Sequence, residues 1–327
     1  MQKPYVIGVD IGAQTAKIGI VNVHGNVIEQ TAIRSNSTAD VEEFVDDLCE
    51  AIIKLLPEEI SLKQIKAIGI GAPNANYYTG MIENASNLKW GSKTKQIPLV
   101  EMLSKKIDIS SVMTNDANAA AIGEMTYGAT KGMKNFIMIT LGTGIGSGIV
   151  VDGRILYGHD GFAGELGHVT MVRGSNARLC NCGRTGCLET YASAIGVARS
   201  AREILETTDS KSLLRNLPVA SITSKDVFEA AIKGDDIAKE IFNITGKILG
   251  EVFANFVAFS SPEAIVLFGG LTKAGNLIYK PIVEHLNLNL LPIWQGKIRV
   301  LLSKLKESNA AILGAGALAW GLQEIEN

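Results

Sequence analysis

Two stretches of this 327-residue chain repeat one pattern, and the repeat limits the possible folds. Residues 6–28, VIGVDIGAQTAKIGIVNVHGNVI, and residues 136–156, FIMITLGTGIGSGIVVDGRIL, each contain three apolar segments separated by a glycine-containing turn and a second tight turn. This spacing is typical of a three-stranded meander. Helical sequence follows each copy, so the repeat predicts a duplicated α/β domain with a ligand cleft between its two lobes.

The repeat also predicts how the chain divides. We expect a small first lobe over residues 1–117 and a larger second lobe over residues 118–307. The segment NAAILGAGALAWGL near the C terminus is apolar and rich in small residues, which predicts a final helix within residues 308–327. We expect this helix to return to the first lobe.

Glycine-rich turns follow the first strand of each meander, and a third such turn follows the apolar strand AIVLF. Glycine lets backbone N–H groups approach a phosphate closely, so for the two matched turns we favour polyphosphate binding over plain hairpins. The third turn could hold the base or the ribose. A dinucleotide fold fits poorly, because strand-like sequence follows GTGIGSG where that fingerprint requires a helix. Asp10, at the first turn, either holds Mg²⁺ or its water shell, or caps the turn.

An apolar strand, ISSVM, leads into an alanine-rich helix, with Asn115 and Asp116 at the junction. Asp116 could be the N-cap of this helix. A carboxylate at a strand end beside a phosphate-binding cleft is also well placed to accept a proton from an attacking hydroxyl group. The cleft makes this second interpretation, a general base, the favoured one.

Three of the four cysteines lie within the segment CNCGRTGC. With the upstream His168 they give the spacing His-x11-Cys-x-Cys-x4-Cys, which favours a tetrahedral zinc site over a disulfide or an unligated loop. Gly183 and Gly186 would allow the reversal that such a site needs. Cys49 lies on the apolar face of a predicted amphipathic helix and is expected in the core. The predicted zinc ligands are His168, Cys180, Cys182 and Cys187.

Composition limits the partners. The net charge is −2, with 31 basic and 33 acidic side chains interspersed, so no charge pattern favours nucleic acid or an anionic membrane. The N-terminal residues lack an apolar run of signal-peptide length, and we expect no later stretch to approach the roughly 18 apolar residues of a membrane span. We therefore expect a cytoplasmic protein with a small-molecule ligand.

The sequence resembles the ROK sugar kinases, whose fold is actin-like and hexokinase-like. The resemblance covers essentially the whole chain and depends on VDIGAQTAK, TNDANAAA, LGTGIGSG, GELGH and CNCGRTGCLE in this order. It implies an ATP-dependent sugar kinase, often dimeric, with Mg²⁺ and structural zinc as cofactors. Asp116 would be the base, and Asn115, Glu165, His168 and Glu189 would bind sugar hydroxyl groups. The residues expected at the ATP phosphates are Asp10, Gly12, Thr15, Lys17, Gly142, Thr143, Gly144, Gly269 and Gly270.

One loop departs from the family pattern. The usual Asp-x-Gly-Gly-Thr is replaced by Asp-Ile-Gly-Ala-Gln-Thr, so Ala13 adds a Cβ that disfavours positive φ and Gln14 replaces a hydroxyl side chain. This substitution puts the affinity for the nucleotide, or the choice of phosphoryl donor, in question.

Several functions are compatible with these residues. A kinase for glucose, with transfer to the 6-hydroxyl group, is favoured, and a kinase for an N-acetylhexosamine such as N-acetylmannosamine is the alternative. A sugar-responsive repressor would need an N-terminal helix-turn-helix, for which we expect no room. A zinc-stabilised binding protein would not need Asn115 and Asp116. Zinc is expected to support the sugar pocket only and to leave the glycine turns unaffected.

Overall fold

The computed structural model of the chain describes residues 3–85, 88–91 and 95–322. Strands β1 to β12 are Tyr5–Ile11, Thr15–Asn22, Val27–Arg34, Ile65–Gly71, Ile82–Glu83, Gln96–Ile97, Ser111–Thr114, Phe136–Leu141, Ile145–Val151, Arg154–Ile155, Ala264–Phe268 and Arg299–Leu302. Helices α1 to α9 are Val41–Leu55, Leu99–Lys106, Asp116–Tyr127, Glu189–Ala192, Ala194–Thr207, Ser224–Ile232, Asp236–Ser260, Asn276–Asn289 and Glu307–Trp320. Short 3-10 helices include Leu166–His168 and Gly270–Ala274.

Two five-stranded sheets share one topology. The first has the order β3-β2-β1-β4-β7, and the second has the order β10-β9-β8-β11-β12. In the first sheet β1 and β2 are antiparallel, as are β2 and β3, whereas β4 runs parallel to β1 and to β7. In the second sheet β11 runs parallel to β8 and β12. The duplicated meander and the mixed α/β class predicted from the repeat are therefore confirmed.

The first sheet buries both of its faces because its central strands are apolar at nearly every position. Ile7, Val9 and Ile11 of β1 belong to a core cluster with the apolar face of α1, which includes Phe44. Val6, one residue out of phase, packs with α9 on the opposite face. Cys49 also lies in the α1 core, 7% exposed, as its helical position predicts.

Helix α9 lies directly against the first sheet, as expected for the final helix. A Cβ atom added to Gly8 or Gly69 would lie closer than 3.0 Å to a backbone carbonyl oxygen of α9, at Ile312 or Ala315 respectively. Only glycine allows this separation between sheet and helix. Residues 323–327 of the predicted helical segment lie outside the described residues.

The chain separates into two compact units. Unit 1 is Met1–Lys134, Gly148–Gly164 and Ser303–Asn327, and unit 2 is Asn135–Ser147 and Glu165–Leu302. This division differs from the boundary expected at residue 117, because α3 packs on α9 within unit 1. At their contact, a Cβ atom on Gly123 would lie 2.9 Å from Gly314 Cα. The two helix backbones therefore approach closely, and such packing keeps α3 with the first sheet.

Helix α7 is long and apolar enough, by length and composition alone, to cross a membrane, so the expectation that no stretch reaches this length is wrong. Of its most apolar window, 61% is buried inside the protein. Gly246 and Gly250 allow α8 to pack closely against it, near Pro281 and Ile282. This burial is the packing of a core helix.

Candidate functional site

The carboxyl ends of β1, β4 and β7 bring Asp10 and Asp116 together in unit 1. The parallel register pairs Asp10 with Gly71, and Gly71 with Thr114. A Cβ atom on Gly71 would lie 4.0 Å from Asp10 Oδ1 and 3.8 Å from Asp116 Cα. The two predicted acids thus lie on either side of one glycine at the same edge of the sheet.

Asn115, rather than Asp116, is the N-cap of α3. Its Oδ1 accepts a hydrogen bond from the Asn118 backbone N–H at 2.7 Å. The N-cap alternative for Asp116 is therefore wrong. Asp116 is the first residue of α3, and its exposed carboxylate accepts a hydrogen bond from the Ala117 N–H at 2.9 Å. Because the cap occupies Asn115 Oδ1, the Asn115 amide NH₂ is the group that could meet a ligand.

Because Asp10 and Asp116 lie close together at this edge of the sheet, ionisation of both carboxyl groups is energetically unfavourable. Desolvation, together with the negative charge of the nearby Asp116, raises the pKa of Asp10 to about 6, although Lys17, its cross-strand partner, opposes the shift. Desolvation also raises the pKa of Asp116. Solvent reaches this residue, but the surrounding protein removes part of the water around its carboxyl group. A divalent cation would relieve this charge, so the residues fit the Mg²⁺ expected at Asp10.

Replacing Asp10 by Asn should stabilise the ligand-free protein at neutral and alkaline pH. The folded-state pKa of about 6 lies above the unfolded value of 3.8, so the folded state binds this proton more tightly. That stability is complete below about pH 4 and is lost as the pH rises through about 6. Above that range the charged carboxylate costs up to about 3 kcal/mol.

Urea denaturation in a metal-free buffer measures this difference. Asp10→Asn should be more stable than the wild type at about pH 8, and the gap should largely close at about pH 4. Asp108→Asn, at an exposed carboxylate of the same unit, is the charge-matched control. Equal stability of Asp10→Asn and wild type at pH 8 would contradict the assigned environment.

The loop between β1 and β2, whose sequence differs from the family pattern, requires no left-handed backbone conformation at Ala13 or Gln14. Among the described residues, the non-glycine positions with positive φ do not include Ala13 or Gln14. Gly12 N–H donates to Thr15 O at 3.0 Å and closes the turn. Asn36 Nδ2 donates to the Ala13 carbonyl, and Ser35 N–H donates to Gln14 O at 3.1 Å. Ala13 therefore fits this turn without a positive φ, so its Cβ atom causes no strain. Gln14 still lacks the hydroxyl group that the family pattern has at this position.

The four predicted zinc ligands come together in unit 2. Their ligand atoms all lie within 4.8 Å of one another. Cys180 Sγ lies 3.6 Å from His168 Nδ1, and Cys182 Sγ lies 3.7 Å from Cys187 Sγ. Tetrahedral zinc with Zn–S bonds of about 2.3 Å places its sulfur ligands about 3.8 Å apart, so the set fits this ion. The sulfur separation is far too long for a disulfide.

The loop that carries the cysteines reverses at its two predicted glycines. Gly183 has a φ of 86° and Gly186 a φ of 78°, both in the left-handed region that favours glycine. Cys180 N–H donates to Arg184 O at 2.8 Å, which closes the reversal. Desolvation raises the pKa of the Cys180 thiol to about 12, so a bound cation would have to displace its proton.

Sequence reasoning missed the side chain that anchors this loop. Arg178 is 7% exposed, and its guanidinium contacts Glu203 Oε2 at 2.6 Å and Ser200 Oγ at 2.9 Å, both on α5. The group also lies 4.5 Å from the centre of the Tyr191 ring. The sequence gives only a weak indication of this role: Arg178 lies just before the cysteines, but its partner Glu203 is 25 residues away in the chain.

Two of the predicted sugar ligands converge on the cysteine loop. His168 presents Nδ1 to Cys180, which leaves Nε2 for a substrate hydroxyl group. Glu189 Oε1 lies 3.5 Å from the same sulfur. Glu165 opens the 3-10 helix Leu166–His168 and is exposed. Asn115 belongs to unit 1, whereas Glu165, His168 and Glu189 belong to unit 2.

The second and third glycine turns border one cavity of about 610 Å³ in unit 2. Gly142 and Thr143 contribute from the turn after β8, and Gly270 contributes from the turn after β11. Apolar side chains, including Phe228, Phe242 and Leu271, line part of the remainder, and Ser224, Lys225 and Lys273 also border it. Backbone amides beside an apolar wall suit a ligand with phosphates and a flat aromatic base. The sequence predicted the turns, but Phe228 and Phe242 carried no recognisable signal.

Comparison with known proteins agrees with this geometry. Residues 6–321 match the ROK family. A glucokinase of Halalkalibacterium halodurans is 36% identical over 100% of this chain and 97% of its own length. A glucokinase of Thermotoga maritima is 33% identical over 97% and 98% of the two chains. The crystal structure of a ROK family glucokinase from Streptomyces griseus, in complex with glucose and AMPPNP, superposes with a TM-score of 0.78 at 31% identity, covering 97% of this chain and 99% of that one. The chain therefore belongs to the ROK family.

Proposed function

We propose that this protein is an ATP-dependent hexose kinase that converts glucose to glucose 6-phosphate. The observation that carries the proposal is the carboxylate of Asp116 at the end of β7, beside Asp10 and with a raised pKa. A base whose pKa is raised toward neutral pH is suited to accept a proton from an alcohol. The glucokinases of similar sequence support the choice of glucose.

In this mechanism Asp116 accepts the proton of the sugar 6-hydroxyl group as its oxygen attacks the γ-phosphorus of ATP. The bond between that phosphorus and the β,γ-bridging oxygen breaks, and ADP leaves. Asn115, Glu165, His168 and Glu189 would hold the other sugar hydroxyl groups. Their hydrogen bonds would orient the sugar, so that the 6-hydroxyl group alone reaches Asp116.

The nucleotide would occupy the 610 Å³ cavity, with its base against Phe228 and Phe242 and its phosphates at Gly142, Thr143 and Gly270, which border it. Gly144 and Gly269, in the same two turns, would complete the phosphate site. Asp10 would hold Mg²⁺, which neutralises charge on the phosphates when bound, and Gly12, Thr15 and Lys17 lie on the same two-stranded turn. His168, Cys180, Cys182 and Cys187 would hold zinc, whose role is to fix the sugar-binding loop.

An ADP-release assay across a sugar panel tests this function. The panel would contain glucose, mannose, N-acetylglucosamine and N-acetylmannosamine, and we expect the highest kcat/KM with glucose. A higher value with an N-acetylhexosamine would transfer the assignment to the alternative substrate. Absence of ADP release with every sugar, from protein that binds ATP, would overturn the kinase assignment.

The altered first loop gives a separate prediction. Because Ala13 has an ordinary φ, the double change Ala13→Gly with Gln14→Thr should keep the turn and restore the family's hydroxyl group. The KM for ATP should then be equal to or lower than that of the wild type, as steady-state kinetics at saturating glucose would measure. A rise in KM would show that Gln14 contributes its own contacts, and would make a different phosphoryl donor worth testing.

The assembly and location of the protein are part of the same proposal. A kinase that uses ATP and free sugar works where both are present, so we place it in the cytoplasm. We also propose a homodimer, which light scattering of the purified protein would establish.

A further inference from the structure

Glu189 connects the cysteine loop with the glycine turn that follows β8. Its Oε2 accepts a hydrogen bond from the Ile145 backbone N–H at 3.1 Å, and its Oε1 lies 3.5 Å from Cys180 Sγ. Glu189 is the first residue of α4, two positions after Cys187. One carboxylate therefore contacts both the predicted metal loop and the predicted phosphate-binding turn.

The Glu189 carboxylate occupies the space that a side chain at Gly144 would enter. The backbone φ of Gly144 lies outside the left-handed region, so its conformation does not require glycine. A Cβ atom at Gly144 would lie closer than 3.0 Å to Glu189 Oε2, a distance that real Cβ atoms essentially never show. A Cβ atom at Gly142 would meet nothing within 4 Å. The two glycines of this turn therefore differ: a side chain at Gly144 would meet Glu189, whereas a side chain at Gly142 would meet open space.

We propose that Glu189 is a positioning residue for the phosphate-binding turn, so that the geometry of the cysteine loop controls nucleotide affinity as well as sugar affinity. This proposal replaces the sequence-based expectation that the turns are independent of the loop, because the Ile145 hydrogen bond joins the turn to Glu189 directly. The inference rests on the proposed function only in taking this turn to bind ATP phosphates.

Hydrogen exchange of the Ile145 amide tests the link without any substrate. Glu189→Ala, and wild-type protein stripped of metal with the loss verified by elemental analysis, should exchange this amide about 10-fold faster or more, because each loses or loosens a hydrogen bond to a charged acceptor. Glu189→Gln keeps an acceptor oxygen and should stay closer to the wild type. Amides of β11, in the same unit, provide the internal control.

The paired glycine variants separate this contact from general damage to the turn. Gly144→Ala should displace the Glu189 carboxylate and speed Ile145 exchange, whereas Gly142→Ala should not. In a Glu189→Ala background, Gly144→Ala should add little further effect, because the clash has been removed. Equal responses to the two alanine substitutions would overturn the explanation for Gly144.

Titration calorimetry with AMPPNP then measures the consequence for the nucleotide. Its Kd should rise about 10-fold in metal-stripped protein and in Glu189→Ala. Unchanged Ile145 exchange and unchanged Kd after verified metal loss would overturn the proposal. Faster Ile145 exchange in protein that never binds AMPPNP would support the positioning role and count against the proposed kinase function instead.

Discussion

Replacing Asp116 by Asn should lower kcat by about 10²- to 10⁴-fold, the usual cost of losing a general base. Asparagine keeps an oxygen that can accept the Ala117 N–H, so the start of α3 should be preserved. Glucose and AMPPNP should still bind with nearly wild-type affinity, because the proton is transferred only in the transition state. Steady-state kinetics and calorimetric titration of the same preparation measure both quantities.

The wild-type pH profile offers a second readout for Asp116. Because the pKa of this carboxyl is raised, its deprotonated form is lost at a higher pH than for an ordinary aspartate, and kcat should fall correspondingly early on acidification. Asp108→Asn, at an exposed carboxylate, should keep both the rate and the profile. Near-normal turnover by Asp116→Asn would refute the assignment of the base.

Removing the metal, or replacing Cys182 by Ser, should weaken glucose binding by about 10- to 100-fold, as when supporting contacts of a metal site are lost. Cys180 contacts both His168 and Glu189, so loss of the ion releases two predicted sugar ligands together. The protein should remain folded, because the ligands span one loop of a chain with its own large apolar cores.

Calorimetric glucose titration and circular dichroism of metal-stripped protein measure these two effects. Asn176→Ser, at an exposed position of the segment leading to the cysteines, is the control substitution and should bind glucose normally. Elemental analysis that finds no stoichiometric zinc in native protein, or unchanged glucose affinity after stripping, would refute the metal's role. Global unfolding on metal removal would show that the ion stabilises the whole of unit 2.

Local patterns in the chain were enough to predict the meanders and helices α1, α3 and α9. Alternation of apolar residues and closely spaced turns reports a strand pair directly, because both effects act within a few residues. The set of metal ligands around Cys180 could also be predicted from the sequence, because a metal-binding loop is short and contains its own glycines. The N-cap of α3 could not be predicted from the sequence, because Asn115 and Asp116 are both good capping residues. Only the residue at which α3 begins distinguishes them.

The domain boundary depended on contacts that sequence does not display. Gly123 and Gly314 are isolated small residues in helical sequence, and each has meaning only when the two helices pack together. Arg178 and Glu203 likewise become an ion pair only because α5 returns to the cysteine loop.

Sequence patterns were sufficient to predict the α/β class, the duplicated topology, the three glycine turns and the four clustered metal-ligand candidates. Each of these depends on periodicity, turn chemistry or short spacing, which are local properties of the chain. The folded chain is needed to see that Asp10 and Asp116 flank Gly71 and that Phe228 and Phe242 line the cavity beside the glycine turns. It is also needed to see that Glu189 occupies the space beside Gly144. Those relations join residues far apart in the chain, and they arise from packing, which brings together groups whose sequence neighbours give no sign of the contact.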